Sequence, residues 1–75
     1  MNLLVMSSPN RARAFRDVLG LDRGEWYAVG AGESITGIGF DNIVVVEHDD
    51  SAEWRAWASA VLHTRLNQGG RITFI

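Results

Sequence analysis

The segment Ile43-Val44-Val45-Val46-Glu47-His48-Asp49-Asp50 constrains this chain more than any other. Four apolar residues run without alternation into four charged or titratable ones. A strand buried on both faces reads this way, and such strands belong to parallel sheets with helices on either side. The polar residues that follow mark its carboxyl end. In a nucleotide hydrolase an acidic strand tip would hold metal, but the phosphate-cradling Gly-x-x-x-x-Gly-Lys-Ser/Thr is absent. The chain has no lysine at all, its seven basic residues being arginines.

Two further apolar runs share this character. Leu3 to Met6 reads as a first buried strand, and Trp26 to Val29 as a second, shorter one. Between them Ser8 can cap the free amides of a helix, and Pro9 suits its first position because the missing N–H has no bond to lose. Ala12, Phe15, Val18 and Leu19 then recur at helical spacing. Gly20 ends the helix in a left-handed conformation, with Leu21 placed for the hydrophobic contact that often follows. Glycines 30, 32, 37 and 39 break up the next stretch, leaving room for one helical turn at most, within Glu33 to Ile38. They are spaced as turn residues, not as a dinucleotide fingerprint. The third strand is Ile43 to Glu47. A second helix starts at Asp50 or Ser51, with Asp50 and Glu53 placed for a capping box. It runs to about Asn67, stops at Gln68-Gly69-Gly70, and Ile72 to Ile75 forms the last strand.

The order βαββαβ predicts an α/β fold, a minimal Rossmann-like or RecA-like sandwich spanning residues 1–75 as a single small domain. With right-handed crossovers, and with strand three placed beside strand one, the mostly parallel sheet takes the order 2-1-3-4, with one helix on each face. The tips of strands one and three then flank the switch point where open α/β sheets bind ligands.

Seventy-five residues without cysteine form a marginal domain, since a chain this short buries only about 60% of its unfolded surface and has no disulfide or thiolate-metal staple. Oligomerisation or a partner is the expected remedy. The formal charge of −2 and the scattered arginines argue against nucleic acid as partner. Met1 to Met6 has no basic flank and is too short for a signal peptide or a membrane span. A cytoplasmic protein is expected, with no membrane partner.

Candidate site residues fall into two groups. Helix two carries Trp54, Arg55 and Trp57, the residue types over-represented at binding hot spots, and these are the candidate partner contacts. Ser7, Ser8, Asn10, Glu47 and His48 gather at the switch point as an alternative site for a nucleotide or other phosphate ligand. Ser8 as a simple helix cap and Glu47, His48 and Asp49 as a solvated loop are the plainer readings of that group. No residue pattern calls for catalysis, a metal or a cofactor. Arg11, Arg13 and Arg16 read as a solvated helix face, and His63 has no ligand partner at helical spacing.

Two resemblances accompany these segments. Leu4-Val5-Met6-Ser7-Ser8 with its Arg/Ala-rich helix, and Thr36-Gly37-Ile38-Gly39-Phe40-Asp41-Asn42 leading into Ile43 to Val46, look like parts of the second RecA-like domain of superfamily-2 helicases. The segment between them is far shorter here, and no arginine-finger motif follows helix two. The chain more closely resembles small α/β proteins of actinobacterial (mycobacterial-type) phages, through Gly20-Leu21, Trp26-Tyr27-Ala28-Val29, Ile38-Gly39 and Ile43 to Val46 in that order. That likeness implies a non-enzymatic accessory role, acting on a host protein in the host cytoplasm, and supplies no catalytic residues.

Overall fold

The computed structural model describes residues 1–35 and 37–75. Four strands, β1 (Asn2–Met6), β2 (Trp26–Gly30), β3 (Phe40–Val45) and β4 (Leu66–Phe74), form one sheet in the order β2-β1-β3-β4. All three pairings are parallel. The α/β sandwich expected from the apolar runs is the fold observed.

Helix α1 (Pro9–Val18) lies between β1 and β2, with Ser8 as its cap. The Ser8 hydroxyl accepts from the Arg11 amide at 3.3 Å. Its far end closes as the sequence requires. Gly20, at φ 70°, donates to Asp17 O at 3.1 Å, and Leu21 donates to Arg16 O at 3.0 Å. These are the two bonds of a Schellman stop.

Helix α2 (Ala52–Trp57) continues through a π-helical turn (Ala58–Leu62) and a final α turn (His63–Arg65). Its cap is Ser51, whose hydroxyl accepts from Trp54 N at 3.0 Å. Asp50 instead sits at φ 54°, so the Asp50–Glu53 capping box does not form.

Three other boundaries differ from the sequence reading. β3 begins at Phe40 and its ladder with β4 ends at Val45, opposite the last residue of β4, Phe74, while the Glu47 side chain turns to the β1–α1 joint. The second helix ends at Arg65, and Leu66 is already extended (φ −78°, ψ 125°) opposite Phe40. A register shift between Phe40 and Asn42 then absorbs the polar stretch 67–70, and pairing resumes at Asn42 with Arg71. No helical turn occurs at Glu33–Ile35 or Gly37–Ile38, and Thr36 lies outside the described residues.

Side chains alternate between two layers. Leu3, Val5, Val29, Phe40, Ile43 and Val45 pack with Ile35, Trp54, Ala58 and Leu62 on the α2 side. Met6, Ala28 and Ala12 form a smaller cluster under α1, joined by Phe15 and Val46. Gly30 permits the second contact. A Cβ there would collide with the backbone of Ser8 and Pro9, where α1 crosses the end of β2. Gly30→Ala should therefore cost about 2 kcal/mol through overpacking. For a domain this size that lowers Tm by roughly 10 °C, measurable by thermal circular dichroism.

Candidate functional site

β1 and β3 are neighbours, yet their chains leave in opposite directions, β1 into α1 and β3 toward the other face. A crevice opens beside their carboxyl ends, as it does at the switch point of open α/β sheets. It is half open, with a volume of about 260 Å³. Ser7 lies at the end of β1, and Ala31 and Gly32 follow β2. His48, Asp49 and Ser51 come from the loop after β3, while Glu53, Trp54 and Trp57 belong to α2.

Of the residues proposed for a phosphate ligand, only Ser7 and His48 line this crevice. Ser8 is occupied as the cap of α1. Asn10 is exposed on the helix and does not line the crevice. Glu47 is committed to a network that joins three elements. It accepts from the backbone amide of Ser7 at 3.2 Å and from the Ser7 hydroxyl. Arg11 grips it with both Nε (3.0 Å) and Nη2 (2.7 Å). The Ser7 hydroxyl, and then the Arg11 guanidinium, hold the Glu47 carboxyl below its usual range. Together they pin the start of α1 to the tip of β3, a structural staple with no free base.

The tryptophans of α2 are placed differently from a surface hot spot. Trp54 is 7% exposed and belongs to the core. The imidazole of His48 stacks on it at 4.4 Å, and Phe74 meets both rings edge-on. The Trp54 Nε1–H finds no hydrogen-bond partner among the described residues. Trp57 is half-buried and donates to Glu33 O at 2.9 Å, tying α2 to the loop after β2. That loop is further held by Glu33, whose carboxylate accepts from Gly30 N at 2.8 Å and lies 3.4 Å from Arg13. Arg55 alone of the three stands well exposed, 3.9 Å from Asp50. Thus the structure does not bring Trp54, Arg55 and Trp57 into one free patch. Asp49, which sequence already places at the switch point beside Glu47 and His48, does line the crevice, whereas Glu53 and Gly32 are additions from the structure. The signal for these two is position, each lying within two residues of a strand or helix end at the carboxyl edge.

A second surface lies on the opposite face. In register across the sheet, Leu4, Val44 and Thr73 form one row, and Val46 continues the α1-side layer beyond Val44. α1 packs across β1 and β2. Burial accordingly falls away along the row: Leu4 is 2% exposed, Val44 half-buried and Thr73 open. Ile75, whose amide donates to Val45 O at 3.0 Å, is 81% exposed, and Val18 on the flank of α1 is 86% exposed. Met6, Phe15 and Val18 line a shallow apolar groove between helix and sheet.

No family model, curated protein or solved structure matches the chain. No helix among the described residues is long and apolar enough to cross a membrane.

The Glu47 staple has a testable pH signature. Its lowered carboxyl pKa means that the ionised form favours folding. The stabilisation is full above the ordinary carboxylate range and is lost as pH falls through the lowered value. Wild type should therefore exceed Glu47→Gln in urea midpoint at pH 7, and the gap should close progressively below about pH 4. A gap unchanged down to pH 2.5 would contradict the ion-pair account.

Proposed function

We propose that this protein is a non-enzymatic binding module that docks a helix of another protein on the open half of its sheet. The observation that carries the reading is an all-parallel sheet with half of one face bare. Parallel sheets occur almost only with both faces covered, because their strands are apolar on both sides. Here Val44, Thr73 and Ile75 lie on that side beyond the cluster that α1 covers. The bare half spans two strands, about 10 Å at the usual strand spacing. An α-helix with its side chains is about as wide. The apolar flank of α1, with Phe15 and Val18, supplies the wall such a helix would lean against.

The likeness to small phage proteins makes a host protein the natural partner. The arrangement of the strand-tip groups supports a non-enzymatic reading. Glu47 is held ionised by Ser7 and Arg11, and the Ser7 hydroxyl is spent on that carboxylate, so this pair serves to fasten the strand tip to α1.

A photo-crosslinking residue placed at Ile75 or Val18 should capture one stoichiometric protein from an actinobacterial host lysate, whereas one placed at Arg55 should not. Thr73→Asp, at an exposed position, should weaken that capture at least ten-fold, about 1.4 kcal/mol, with little change in Tm. Capture from position 55 alone would return the interface to helix α2. Cross-links only between copies of this chain would make the covering partner a second subunit.

A further inference from the structure

The carboxyl-edge crevice discriminates between ligands by charge. Two carboxylates, Asp49 and Glu53, stand on its rim, and no arginine lines it. Arg11, at the adjoining β1–α1 joint, is already neutralised by two contacts to Glu47. The start of α2 would by itself favour an anion, but its needs are met from within the chain. Asp49 accepts from Ser51 N at 3.0 Å, the Ser51 hydroxyl accepts from Trp54 N, and Glu53 lies in the first turn. The Ser51 amide and hydroxyl also keep the Asp49 carboxyl below its usual range, so it is ionised at neutral pH. An entering phosphate would meet two carboxylates and no arginine, with only the His48 imidazole to set against them.

The walls favour the opposite sign. Trp54 with His48 stacked on it forms one aromatic surface, and the half-buried Trp57 is a second aromatic component of the lining. Aromatic faces attract cations through their quadrupole, tryptophan most strongly. The half-open crevice, about 260 Å³, is of a size for a small molecule.

We propose that this crevice binds a small organic cation, an amine or quaternary ammonium with an apolar body. The charge meets Asp49 and Glu53, and the body lies against the indole of Trp57 and the His48–Trp54 stack. The assignment is independent of helix docking, which uses the other face of the sheet.

The test uses the intact chain and the three indole N–H resonances, with Trp26 as internal reference because it does not line the crevice. Benzyltrimethylammonium, titrated to 10 mM at constant ionic strength, should shift the Trp57 and Trp54 signals saturably and leave Trp26 still. Benzoate and inorganic phosphate should not. Glu53→Gln, an exposed change that spares the fold, should raise the Kd at least three-fold, and Asp49→Asn should raise it further. Equal or tighter binding of benzoate or phosphate at the same indoles would overturn the charge assignment while keeping the crevice as a site. A cation that shifts all three indoles alike, or none, would overturn the site itself.

Discussion

All four strands of this sheet point the same way, so no neighbouring pair can be joined by a hairpin, and every connection must pass over a face. β1 bears the full consequence. Flanked by β2 and β3, it buries Leu3, Leu4, Val5 and Met6 in succession, alternately toward the two layers. Three connections are available to cover two faces. α1 covers β1 and β2 on one side. On the other, the second helix supplies Trp54, Ala58 and Leu62, while the helix-free loop between β2 and β3 contributes Ile35 and Ile38. One half-face receives nothing. The open surface over β3 and β4 is thus a direct result of having two helices for four parallel strands.

The same economy explains the electrostatics. With few helices to clamp the strand ends, charged side chains perform that task. Glu47 joins the tip of β3 to the start of α1, and Glu33 joins the end of β2 to α1 through Arg13 and receives Trp57 through its carbonyl. Around the N-terminus, Asp41 bridges the terminal ammonium and Asn67, and its carboxyl is held low chiefly by the Asn67 amide. Exposed pairs of this kind stabilise weakly one by one. Their value here is positional, because each fixes where a chain turns away from the sheet. A carboxylate at a strand tip is therefore ambiguous in sequence, being equally suited to polarising a ligand and to fastening a helix.

The legible parts of this fold are those written in local chemistry. Consecutive apolar residues marked the strands, Ser8-Pro9 and Gly20-Leu21 marked the ends of α1, and the strand order followed once strand three was placed beside strand one. The features that escaped depend on partners distant in sequence. Leu66 to Gly70 looks like a helix end and a turn, yet Leu66 pairs with Phe40 twenty-six residues earlier. Asp50 and Ser51 are both good caps by composition, and only the positive φ of Asp50 gives the role to Ser51. Trp54 and Trp57 differ little by helical phase, yet one is sealed beneath His48 and Phe74 while the other reaches Glu33. Most instructive is Ile43 to Val46. Four apolar residues in a row imply cover on both faces, and nothing in their identity reveals that Val44 lacks a helix above it.

The last residues of β4 show how closely the two surfaces approach without merging. Phe74 faces the α2 layer and supports the His48–Trp54 stack at the crevice. Ile75, one residue on, follows the opposite side under strand alternation and extends the open face beside Val46. Adjacent positions therefore serve different surfaces. A polar substitution at Ile75 acts on the open face while leaving the aromatic wall in place, and one at Phe74 does the reverse. This separation follows from the two-residue period of a strand, and it lets the open face and the carboxyl-edge crevice be probed independently on a single small sheet.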